Sequence, residues 1–126
     1  MPDSLKICLE VALADSLADD FDPAKKRIVI EEEVTGITQW DHTTIAAAPA
    51  PSPNTYGTGH FSTIKRMIVQ NLSARSITMA YDAASGATEE VIKAGATVIL
   101  GDVDPSTDPT FEGLATDQVE ILVVGT

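Results

Sequence analysis

A single cysteine, Cys8, stands among 126 residues. No disulfide can therefore form within the chain, and zinc sites built from four cysteines, or from two cysteines and two histidines, are excluded. Its place in an apolar run predicts a small buried hydrophobe. Basic residues are also scarce, with 8 Lys and Arg against 19 Asp and Glu for a net charge of −11. That balance repels nucleic-acid phosphate and anionic membrane surfaces. The only basic clusters, Lys25-Lys26-Arg27 and Lys65-Arg66, are expected to be solvated strand entries. No stretch reaches the roughly 18 to 20 apolar residues of a membrane span. The start, MPDSLKICLEV, lacks both a charged leader region and a sustained apolar one, so the chain is expected to stay in the cytoplasm where it is made unless an assembly carries it out. Aromatic residues make up only 5%, which leaves little for a ligand-stacking platform beyond the core.

What the sequence does hold is β-patterning, centred on residues 64 to 103. Ile64, Arg66, Ile68 and Gln70 alternate with Lys65, Met67, Val69 and Asn71; Leu72 to Arg75 interrupt; Ile77, Met79 and Tyr81 alternate with Thr78, Ala80 and Asp82. This reads as strand, short turn, strand. After a polar tip at Ala83 to Thr88, Glu89 to Ala94 are again extended, Gly95 supplies the positive φ of a tight turn, and Thr97 to Leu100 form another strand, so that a meander is expected. The run Val119 to Val124 is apolar enough to be a central strand covered on both faces. Ile68, Val98, Val119, Ile121 and Val123 are the expected core.

The first half is less regular. Lys6 to Leu13 alternates as a strand, while Leu5, Leu9, Leu13 and Leu17 also fall at helical spacing; the strand is the reading consistent with the rest of the chain. Asp15 to Pro23 suits a loop in which Phe21 tucks onto the core. Arg27 to Glu33 predicts a strand with a solvated far end, because three consecutive carboxylates cannot all be buried unpaired. Val34 to Trp40 follows, with Gly36 at a bulge or turn and the lone Trp40 as a core or core-edge anchor. Residues 43 to 59 turn to Ala, Pro, Ser, Thr and Gly. Pro49, Pro51 and Pro53 at alternate positions favour an extended arm that joins no central strand. Gly101 to Thr116 is a second Pro- and Asp-rich connection, anchored by Phe111 and Leu114.

Each candidate for chemistry has a plainer explanation. Asp102, Asp104, Ser106 and Asp108 sit at the first four alternate positions of a calcium loop, but Thr107 stands where that loop needs Gly and Gly113 where it needs Glu; Asp side chains capping backbone amides explain the same residues. His42, beside Asp41 and Trp40, and His60 lack a nucleophile on a strained elbow and lack further metal ligands, which makes them surface histidines. Gly57-Thr58-Gly59 is too short to cradle a phosphate. Of the acidic run, only Glu31 and Glu33 share a strand face. No cofactor motif and no catalytic set emerge, and the expectation is a protein that is not an enzyme.

The segments RMIVQNLSARSITMAY, EEVIKAGATVIL and VEILVV resemble the strand layout of small β-sandwich proteins in tailed-bacteriophage virions, with Asn71 matching a turn-entry Asn and Gly95 a tight-turn Gly. The resemblance covers the second half of the chain. It implies a structural, non-enzymatic virion component such as a capsid decoration protein or a tail or baseplate accessory. Together these readings predict one all-β domain over residues 1 to 126, an antiparallel, jelly-roll-like sandwich with a long Pro-rich loop. The partners expected are other virion proteins and copies of itself, met through Pro49, Pro51, Pro53 and Tyr56. The alternative is a carbohydrate-binding β-sandwich in which Trp40, Tyr56 and Phe61 stack on sugar rings.

Overall fold

A computed structural model describes residues 3–12 and 27–126. Among these there is no helix, and ten strands follow in order: β1 (Asp3–Ala12), β2 (Arg27–Ile37), β3 (Gln39–Ala46), β4 (Asn54–Thr55), β5 (Ile64–Asn71), β6 (Ile77–Ala83), β7 (Gly86–Ile92), β8 (Thr97–Leu100), β9 (Thr110–Glu112) and β10 (Gln118–Gly125). The first segment is thus a strand where described, and its helical alternative fails there; Leu13, Leu17, the loop at Asp15 to Pro23 with Phe21, and Lys25-Lys26 lie outside the described residues.

Two four-stranded antiparallel sheets, ordered β3-β10-β5-β8 and β4-β9-β6-β7, face each other as a β-sandwich. One core fills the space between them, built from Met67 and Val69 of β5, Ile77 and Met79 of β6, Ile92, Phe111, and Val119, Ile121 and Val123 of β10. The expected core residues Val119, Ile121 and Val123 are fully buried, Val98 packs partly against the same cluster, and Ile68 lies on the opposite face of its strand. Alternation in β5 left two faces to choose between. The inward face is the one that carries Asn71, because that polar side chain is satisfied inside.

The expected meander is replaced by a different path. β5 and β6 do not pair; the turn between them carries the chain from one sheet to the other, and β7 to β8 crosses back. Of the strands β5 to β8 only β6 and β7 form a hairpin, in register from Ile77↔Ile92 to Ala83↔Gly86. The polar tip is correspondingly shorter than expected. β10 lies between β3 and β5 as a central strand, as its continuous apolar run indicated.

β1 and β2 form a separate two-stranded ladder. Between Leu5↔Val34 and Asp3↔Ile37 the second strand gains one residue. Gly36, at φ 70°, takes up that bulge, the left-handed backbone that a residue with a Cβ adopts only under strain. The base of this hairpin lies over β10 and β5: Val34 and Ile37 bury Val124, with Leu5 and Leu122 at the margin. Lys65 Nζ donates to the Thr35 carbonyl at 2.5 Å, and Arg66 is ion-paired with Glu32. The basic pair expected at a solvated strand entry therefore ties the hairpin to the sandwich. Glu31 faces Lys6 at 3.8 Å, and Glu33 is exposed. Cys8 is exposed, contrary to expectation, because alternation along β1 turns Leu5 and Ile7 to the packing side and Cys8 away. It should react with Ellman's reagent in the folded protein; a requirement for denaturant would contradict the placement.

Among the described residues three polar side chains are buried, and each is satisfied. Asn71 Nδ2 donates to the carbonyls of Arg75 (2.7 Å), Ile92 (2.9 Å) and Lys93 (3.2 Å), while its Oδ1 accepts from the Ser73 amide and hydroxyl. It thereby fixes both the 72–76 turn and the end of β7. Asp117 accepts from Arg75 Nε at 3.1 Å and from the Leu114 amide at 3.0 Å. Gly95, at φ 71°, completes a turn closed by Ala96 N–H on the Lys93 carbonyl at 3.0 Å, which fits its expected role.

Candidate functional site

The Pro-rich stretch is shorter and more firmly held than its composition implied. β3 runs to Ala46, β4 begins at Asn54, and Ala47 is buried with its N–H on the Asp117 carbonyl. Ala48 N–H donates to Phe111, and Gly113 N–H returns to Ala48. What projects is a tip: Pro49 and Pro51 are exposed, Pro53 is half-buried, and Ser52 N–H closes the turn on the Pro49 carbonyl. Deleting Ala47 to Asn54 would thus remove core contacts as well as the tip.

Tyr56, expected as an anchor on a neighbour, is buried in the chain's own core. Its hydroxyl donates to Asp41 Oδ2, and desolvation followed by this carboxylate raises its pKa far above the usual tyrosine value. Tyr81 shifts the same way, through desolvation and then the negative charges of Glu90 and Asp102. Because ionisation is harder in the folded state for both, their contribution to stability is complete below about pH 10 and is lost as pH rises beyond it. Alkaline absorbance titration should show Tyr81 ionising above the ordinary tyrosine value and Tyr56 ionising only with loss of near-ultraviolet circular dichroism. A tyrosine titrating at its ordinary pKa in folded protein would contradict this.

The remaining candidates are dispersed. Asp41 and His42 are neighbours on a strand and so point to opposite faces: Asp41 inward to Tyr56, His42 outward to Glu120 at 2.7 Å. His60 is exposed against Phe61. Thr58, within Gly57-Thr58-Gly59, is buried, its amide on Asp108 and its hydroxyl on the Pro105 carbonyl. Asp102 accepts from the Ala84 amide, and Asp104 from the amide and hydroxyl of Ser106, which hold its carboxyl below the usual range. Asp102, Asp104 and Asp108 each cap a backbone amide, and no group of three or more His, Cys, Asp or Glu side chains placed to hold a metal occurs among the described residues. Phe111 is an anchor as expected, whereas Leu114 is largely exposed.

Trp40 is 61% exposed and is not a core anchor. It sits at the start of β3, on the outer face with His42 and Thr44. Beside it, His42, Glu120, Leu122, Ile68, Gln70 and Thr97 line a shallow depression of about 190 Å³. Sequence reasoning missed this edge. The signal was the alternation of exposed Trp40, His42 and Thr44 with Asp41, Thr43 and Ile45, which was absorbed into the assumption that a lone tryptophan belongs inside. No protein-family model matches this chain, and neither a curated protein nor a solved structure does.

Proposed function

We propose that this protein is a non-enzymatic structural subunit of a tailed-phage particle, present in multiple copies on the capsid as a decoration protein or in the tail or baseplate. The observation that carries the reading is the winding of β3 to β10. Eight strands in two sheets, ordered β3-β10-β5-β8 and β4-β9-β6-β7, follow the two interleaved Greek keys of a jelly roll, an architecture used in viral capsid domains. The projecting Pro49 to Pro53 tip supports it, since a stiff turn loses little entropy when it docks on another subunit. The same winding serves lectin domains. The sugar-stacking set of the alternative, however, is divided, with Tyr56 and Phe61 in the core and Trp40 on the surface.

Mass spectrometry of density-banded particles from the phage that encodes this chain is the test. The chain should be present at many copies per particle, and its presence only in the soluble fraction would refute the reading. The triple variant Pro49→Ser, Pro51→Ser, Pro53→Ser should keep its melting temperature within a few degrees, because the tip makes few core contacts, and should lower incorporation at least several-fold.

A further inference from the structure

We propose that the free edge of β3 pairs antiparallel with the same strand of a second copy, across a two-fold axis at His42. The proposal deepens the assembly reading above and rests on it for its biological setting.

The two sheets of the sandwich have four edges, and three are blunted. β4 has two residues and β8 four, while β7 carries Glu89 and Glu90 and is followed by Lys93. Short strands and edge charges are the usual protection against pairing. β3 has neither: eight residues, QWDHTTIA, without proline or lysine, its one carboxylate turned inward to Tyr56. Among the described residues no strand covers its outer side. The described contacts of the β1–β2 hairpin with the sandwich are to β10 and β5.

Hydrogen-bond direction defines the register. In an antiparallel ladder, alternate residues turn both N–H and C=O to the same neighbour. Ala47 N–H meets the Asp117 carbonyl on the β10 side, so the odd-numbered residues of β3 face β10, and Trp40, His42, Thr44 and Ala46 direct theirs outward. The Ala46 carbonyl is taken by Asn54 Nδ2 at 2.7 Å, which independently marks that side as outward. Trp40, His42 and Thr44 remain, a run symmetric about its middle. A two-fold at His42 sets His42 against His42 and Trp40 against Thr44 of the second copy, each pair exchanging two hydrogen bonds. Directly opposed residues lie on the same face, so each exposed indole covers the Thr44 side chain of the other copy. The two β3-β10-β5-β8 sheets then join into one continuous sheet.

Light scattering on the isolated protein, from micromolar to millimolar concentration, should show a species of twice the 13.3 kDa chain mass. Fluorescence of the only tryptophan should shift to the blue, with several-fold weaker acrylamide quenching, over the same range. Thr44→Lys places a charge on an exposed edge position and should raise the dissociation constant at least tenfold. His42→Pro removes an outward N–H and the exposed contact to Glu120, so it should abolish the dimer while the melting temperature stays within a few degrees; if that variant does not fold, Thr44→Lys decides. A chain monomeric at every concentration, a dimer indifferent to the Thr44 substitution, or a dimer whose tryptophan stays fully quenchable overturns the edge pairing. A monomer that still enters particles leaves the virion reading standing, and a dimer absent from particles does the reverse.

Discussion

Gly125→Ala is expected to prevent stable folding. Gly125 is buried on β10 between Gln39 of β3 and the backbone of Thr63 and Ile64. A Cβ there would fall on the Thr63 carbonyl oxygen and within 3.1 Å of Ile64 Cα, backbone atoms that cannot rotate away. Relief requires the 62–64 segment to separate from the end of β10, breaking the bonds from Ser62 and Thr63 N–H to the Thr126 carbonyl and from Thr126 N–H back to Thr63. Ordinary overpacking costs about 1 to 3 kcal/mol; with this loss added, a cost above about 3 kcal/mol is a large part of the roughly 5 to 15 kcal/mol that stabilises a domain. Gly59→Ala is the control, since a Cβ there meets nothing within 4 Å. Thermal melts should show a fall of more than about 10 °C, or no cooperative transition, for the first and almost none for the second. Similar melting temperatures for the two would contradict the close approach.

Asn71→Asp should be nearly as damaging, with a pH dependence that identifies the cause. A carboxylate in place of the amide would set an acceptor against the carbonyls of Arg75, Ile92 and Lys93 and leave the donors they need missing. Unmet buried groups cost about 1 to 3 kcal/mol each, and more when charged. The introduced carboxyl can donate again only when protonated, so its pKa in the folded state is raised above the unfolded value near 4. The penalty relative to the unsubstituted protein is therefore full at neutral pH and shrinks as pH falls through that raised pKa. Melting temperatures of both proteins, measured across that range, should converge in acid; a constant difference would mean that loss of shape, not of the donors, is responsible.

Asn71 also marks where the sequence could be read and where it could not. Alternation places β5, β6 and β10 almost to the residue, since period-two patterning is a local property. Which sheet a strand joins is not local. The five residues from Leu72 to Ser76 look like any hairpin turn, and only the burial of Asn71 among turn and β7 carbonyls reveals that they cross the sandwich. Gly36 and Gly95 were legible because a positive φ leaves a compositional trace. The Pro-rich segment was read too broadly: its small residues concealed a ring, Tyr56, that the core needed. Trp40 failed in the opposite direction, as base rates for tryptophan say nothing about which side of an edge strand it occupies. The β3 edge was not legible, because an unpaired edge is defined by the absence of a neighbour in space.

The position of β10 has a consequence for synthesis. Its partners β3 and β5 emerge from the ribosome well before residues 118 to 125, and among the described residues neither has another way to close its sheet: β3 pairs with β10 alone, and β5 otherwise has only the four-residue β8. Until β10 is translated, the nascent chain exposes Met67, Val69 and the inner face of β6 with no lid. At about 5 to 20 residues per second, the interval from β5 to β10 lasts several seconds. Strands exposed for that long are substrates for a holding chaperone, and a message truncated before codon 118 should yield a product that is degraded and not a smaller folded domain.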